Sequence, residues 1–158
     1  MTTCIYSRAH GVVAADTQYT TGSGHITRCS KIEKLKNRWI FCGSGYGRSI
    51  DVAKEWAEAG LKYQPQVEEH FSHFLDEPDD RGFECFVVKP DGSCWMIDEE
   101  LAPYENKSTY IAVGSGSAYA IGALEAGASP QEALGVAAKY DPNTSAPFDT
   151  LRIEGSNG

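Results

Sequence analysis

A threonine stands directly behind the initiating methionine, and Met1-Thr2-Thr3 runs into an apolar, strand-like stretch. A hydroxyl by itself is a weak nucleophile. Once Met1 is clipped, however, Thr2 carries an α-amine beside its hydroxyl, and an amine titrating at about 7.7 to 8.0 accepts a proton near neutral pH. Further groups able to assist a hydroxyl recur along the chain. They are Asp16 behind Ala14-Ala15, Lys31 at the head of residues 31–35, the glycine-rich segment 43–47, Ser115 between Gly114 and Gly116, and Asp141 followed by Thr144 and Ser145.

Other chemistries fit less well. His70 and His73 have the i, i+3 spacing of helical metal ligands, but no third ligand lies nearby in the sequence, so no metal is expected. The glycines at 43, 45 and 47 follow neither GxGxxG nor GxxxxGK[ST], which argues against a phosphate-binding loop. No cofactor is implied. Five cysteines (Cys4, Cys29, Cys42, Cys85, Cys94) lack CxxC spacing and read as reduced cytoplasmic thiols, mostly small apolar strand residues. A formal net charge of -8, with scattered Lys and Arg, argues against nucleic-acid binding. No apolar run approaches bilayer length and no signal peptide precedes the first strand, so no membrane association is expected.

The elements that must position these residues are legible in outline. At 158 residues, 41% hydrophobic and 23% charged, the chain reads as one domain over residues 1–158, with 154–158 as a frayed tail. Residues 3–16 read as two strands turning near His10-Gly11, and residues 31–42 as a second hairpin turning at Lys36-Asn37. The glycine loop leads into a helix over 49–61, and Pro65 opens another carrying Val67, His70, Phe71 and Phe74, closed by a polar loop over 78–82. Phe83 to Val88 and Cys94 to Ile97 pair about the turn sequence at 89–93. A strand over 109–113, a small-residue helix over 118–126, a helix opening at Ser129-Pro130 and a strand over 148–153 complete the order. Strands, two helices, strands, two helices and a strand pack most economically as an α+β, four-layer αββα sandwich of two mainly antiparallel sheets.

In order and spacing, Thr2-Thr3, Ala14-Ala15-Asp16, Lys31 to Leu35, the 43–47 loop, Gly114-Ser115-Gly116 and Asp141 resemble the proteasome β-subunits and the HslV-type peptidase. The resemblance spans Thr2 to about Ile153. It implies the N-terminal nucleophile hydrolase fold and a threonine-type endopeptidase acting on peptide or unfolded protein. It also implies a homo-oligomeric ring, an ATP-dependent unfoldase as partner and a cytoplasmic location.

Carried over by position, the resemblance makes Thr2 the nucleophile, with its own amine as base. Lys31 keeps that amine unprotonated and Asp16 orients Lys31. Gly45 supplies the oxyanion N–H, with Gly43 and Gly47 as alternatives in register. Ser115 relays a proton, and Asp141 with Thr144 holds the network, Thr144 standing where the family has serine. A plain helix-terminating loop is the alternative for 141–144. Side chains two apart on a strand share a face, so Cys29 and Glu33 flank Lys31, with Gly43 nearby, as a specificity pocket in which Glu33 favours basic side chains. Two other classes stay open: a non-catalytic ring or scaffold subunit that retains Met1, and an N-terminal nucleophile amidohydrolase acting on small amides.

Overall fold

A computed structural model describes residues 2–72, 82–98 and 100–154. The chain opens with β1 (Thr3–Ser7) and β2 (Val12–Asp16), in which every residue is buried. The reason is their place in the sheet. They are the interior pair of a four-stranded antiparallel sheet ordered β10-β1-β2-β11, where β10 is Tyr110–Gly114 and β11 is Phe148–Arg152. A strand covered on both faces has no polar side to show, which explains the unbroken apolar run from Val12 to Ala15.

The second sheet has five strands: β5 (Ile32–Lys34), β6 (Ile40–Gly45), β7 (Phe83–Val88), β8 (Cys94–Asp98) and β9 (Tyr104–Asn106), in that order and all antiparallel. Between the sheets lies one core layer in which Cys4, Tyr6, Val13 and Val113 meet Ile40, Cys42, Phe86 and Met96. A second layer, including Phe41, Ala53, Trp56 and Phe71, joins the five-stranded sheet to α1 (Gly47–Glu58) and α2 (Pro65–Ser72). A third, including Ile5, Ala14, Ala120, Leu134 and Ala137, joins the other sheet to α3 (Ser117–Glu125) and α4 (Pro130–Tyr140). The order of layers is helix pair, sheet, sheet, helix pair, as expected. The start of α4 is set locally by a reciprocal capping box between Ser129 and Glu132, with Pro130 in the first turn.

Three features depart from the sequence expectations. A separate hairpin, β3 (Gln18–Thr20) and β4 (Ile26–Arg28), occupies the segment around the turn-rich 20–24, and its second strand is exposed throughout. The strand expected from Lys31 begins at Ile32, leaving Lys31 just outside it. Cys4 and Cys42, 38 residues apart, form a disulfide across the inter-sheet core, which corrects the expectation of uniformly reduced thiols; Cys29, Cys85 and Cys94 are free. The two strands carrying that pair face one another only after the sheets stack. Phe74, His73 and residues 78–81 and 155–158 lie outside the described residues.

Candidate active site

The first strand delivers Thr2 to the end of the sandwich. Thr2 is 7% exposed, and its carbonyl lies so close to Gly114 that a Cβ there would sit 1.7 Å from the Thr2 oxygen. Gly114, at φ +100°, is therefore a position where only glycine fits. The same missing side chain faces Ser44 Oγ at 3.2 Å, so the end of β6 reaches the neighbourhood of Thr2.

Two carboxylates bracket this point. Asp16, fully buried at the end of β2, accepts from the Thr3 N–H (2.9 Å) and from Lys31 Nζ (2.8 Å) on Oδ1. Its Oδ2 accepts from the N–H groups of Gln18 (3.1 Å) and Ser145 (3.3 Å). The Lys31 side chain is 7% exposed, so the pair is shielded from water. Asp141 follows α4. Its Oδ2 accepts from Ser115 Oγ and from Thr144 Oγ1, each at 2.6 Å, while the Asn143 N–H donates to Oδ1 (3.1 Å). Burial pushes the Asp141 carboxyl upward, but the hydrogen bonds from Ser115, Thr144 and Asn143 outweigh it and hold the group below the usual carboxylate range.

The local sequence explains how Asp141 reaches Ser115. Asp-Pro-Asn-Thr is a turn sequence with proline at the second position, and the Thr144 N–H closes it onto the Asp141 carbonyl (3.2 Å). The loop thus both ends the helix and brings two hydroxyls onto one carboxylate. Thr3 Oγ1 and Thr144 Oγ1 are 2.6 Å apart. Since Thr144 gives its only hydroxyl proton to Asp141, Thr3 is the donor between them. Gly116 leaves room for this contact, because a Cβ there would fall 2.2 Å from Thr3 Oγ1. Thr3, the residue next to Thr2, consequently lies between an Asp16–Lys31 ion pair and an Asp141–Ser115–Thr144 hydroxyl cluster.

Gly45 has φ +121°, and a Cβ there would meet Gly82 O at 2.4 Å, whereas Gly47 at the head of α1 has open space. The remaining expected positions are more dispersed. Cys29 is exposed, in the segment between β4 and β5, with its N–H on the Thr17 carbonyl (2.9 Å). Because β5 starts at Ile32, residues 29–33 do not form one continuous strand, which corrects the premise of a shared face through Lys31. Glu33 pairs with Lys54 of α1 at 3.1 Å, so its charge is compensated. Gly43 packs under α1, where a Cβ would be 2.7 Å from Cys85 Sγ and 3.0 Å from an Ile50 methyl. His70 contacts Ser49 Oγ through Nε2 at 3.5 Å and Phe71 edge-on. Ser44 and Gln18 were not singled out by the sequence; each is placed by contacts distant along the chain.

Among solved structures, eukaryotic HslV from Trypanosoma brucei superposes with a TM-score of 0.69, covering 96% of this chain and 99% of that one at 17% identity. The fold is that of HslV. Thiobacillus denitrificans BPH, solved in complex with epoxomicin, gives a TM-score of 0.69 over 98% of this chain and 99% of its own at 18% identity. A second structure of Thiobacillus denitrificans BPH gives 0.65 over 99% of both chains at 20% identity. No family model matches the sequence, and no curated protein matches it. No helix among the described residues is long and apolar enough to cross a membrane.

Proposed function

We propose that the chain is a threonine-type endopeptidase of a proteasome-like ring, with Thr2 as the N-terminal nucleophile after removal of Met1. The observation that carries this reading is that two clusters, Asp16 with Lys31 and Asp141 with Ser115 and Thr144, both bond Thr3, the residue next to Thr2.

In this mechanism Thr2 Oγ1 attacks the substrate carbonyl while the Thr2 amine takes the hydroxyl proton. The Lys31 charge, oriented by Asp16, keeps that amine unprotonated beforehand. The Gly45 N–H receives the developing oxyanion. Collapse of the tetrahedral intermediate breaks the C–N bond, the leaving amine takes the proton, and an ester forms on Thr2. Water, deprotonated by the same amine, then attacks the ester and regenerates the hydroxyl. Ser115, held by Asp141 together with Thr144, relays a proton beside the nucleophile. Cys29, Glu33 and Gly43 form the specificity side of the cleft in this reading, and Lys54 neutralises Glu33 there.

Substrates are peptides or unfolded protein, reached inside a homo-oligomeric ring fed by an ATP-dependent unfoldase. The cytoplasmic setting belongs to the same reading.

Mass spectrometry of the mature chain is expected to find Met1 absent, and Thr2→Ala to abolish peptide cleavage. Epoxomicin, the compound found with Thiobacillus BPH, is expected to bind in a Thr2-dependent way. Peptide cleavage by protein that retains Met1 would overturn the mechanism, and a monomeric mass by light scattering would overturn the ring.

A further inference from the structure

Gln18 is a polar side chain with 4% exposure at the start of β3, directly beyond Asp16, and the mechanism above assigns it nothing. Its Nε2 donates to the Pro142 carbonyl (3.1 Å) and to Thr20 Oγ1 (3.3 Å), and its Oε1 accepts from Ser145 Oγ (2.7 Å). The directions are fixed by chemistry. Arg28 of β4 can only donate, so Ser145 Oγ accepts from it (2.6 Å) and has its proton left for Gln18 Oε1; a carbonyl can only accept, so the amide nitrogen faces Pro142. Alongside, Thr17 Oγ1 donates to the Pro147 carbonyl (2.7 Å).

This network ties the β3–β4 hairpin to the loop that follows α4. That loop is shared by both carboxylates. Thr144 bonds Asp141 and Thr3, while one residue later the Ser145 N–H bonds Asp16. The position of a single short loop therefore sets both carboxylates relative to Thr3, the residue next to Thr2.

We infer that Gln18, acting through Ser145 and Arg28, is a positioning residue that locks the 141–147 loop so that Asp16 and Asp141 are held in register with each other. The inference rests on the peptidase reading for its effect on turnover, although the lock itself does not. A polar network anchored on a buried side chain has few alternative arrangements, and removing one member frees the rest. Small displacements of an orienting group lower the reaction rate more than they weaken binding.

The test uses Gln18→Leu, which keeps bulk without polarity, and Ser145→Ala, with Ser145→Thr as the conservative variant. With a fluorogenic peptide, each of the first two is expected to lower kcat about tenfold with KM within about twofold. The double variant should lose no more than the worse single one, because the residues act as a unit, and Ser145→Thr should stay near the parent. Unchanged kcat, or losses that multiply, overturns the lock.

Amide hydrogen exchange at Ser145 and Asn143 separates this from the peptidase reading. In Gln18→Leu it should accelerate by about tenfold or more, whether or not the parent cleaves peptides. Exchange at the parental rate overturns the lock; an inactive parent with accelerated exchange sinks the peptidase reading alone. If Gln18→Leu does not fold, Ser145→Ala and the exposed Arg28→Met carry the same measurements.

Discussion

Replacing Lys31 by methionine keeps chain length but removes the charge opposite Asp16. The two side chains are 7% and 0% exposed, so the stranded carboxylate gains almost no water. Breaking a buried pair on one side costs about 3–5 kcal/mol. Three backbone donors, from Thr3, Gln18 and Ser145, remain on the Asp16 oxygens and place Lys31→Met near the low end, about 3 kcal/mol. For a chain of this size that corresponds to a fall in Tm of about 6–12 °C. Adding Asp16→Asn removes the uncompensated charge, but the amide now turns a donor toward one of those backbone donors. The double variant is therefore expected about 1–2 kcal/mol below the parent, more stable than Lys31→Met alone. Peptide cleavage should be lost in both, since neither restores a cation beside Thr2. Urea denaturation and thermal melting at fixed protein concentration give the stabilities, and a fluorogenic peptide gives the activity. A Lys31→Met protein within 1 kcal/mol of the parent, or a double variant no more stable than the single one, would refute the reasoning about burial.

Three further outcomes are expected. Gly45→Ala forces a side chain to within 2.4 Å of Gly82 O at φ +121° and should lower kcat by about 100-fold or more, whereas Gly47→Ala, with open space, should remain active; the reverse pattern moves the oxyanion site. Lys54→Met frees the Glu33 carboxylate, and preference for basic over neutral side chains in matched peptides should rise by up to about fivefold, the scale of an exposed ion pair; an unchanged ratio removes Glu33 from the pocket. The Asp141 carboxyl titrates below its ordinary range, so its stabilising effect is fully present above about pH 4, the unfolded value, and is lost as the pH falls through the lower folded value. Urea midpoints of the parent and Asp141→Asn should therefore differ near pH 6, and the difference should shrink as the pH falls below about 4.

The elements legible in the sequence were those whose burial imposes a pattern. The unbroken apolar run at 12–15 marked an interior strand, and Ser129-Pro130 marked a helix start because capping is a local interaction. The β3–β4 hairpin escaped notice because its second strand is exposed, so nothing selects an alternating pattern there. Asp16, Lys31, Ser115 and Asp141 stood out through their order along the chain, not through any local signal. Ser145 on Asp16, separated by 129 residues, and the Cys4–Cys42 link are products of the stacked layers and leave no periodic trace. The expected face through Cys29, Lys31 and Glu33 failed for a simple reason: alternation holds only where a strand is continuous, and here it begins at Ile32.

The interior position of β1 also bears on how the protein can be handled. An edge strand such as β11 tolerates additions at its end, but β1 has a neighbour on either side and helices and a second sheet over its faces. A purification tag fused ahead of Thr2 would join the chain where Thr2 is buried and packed so closely on Gly114 that no Cβ fits between them. Affinity handles belong behind β11, and a leader placed in front is best made self-removing, so that the cut falls immediately before Thr2.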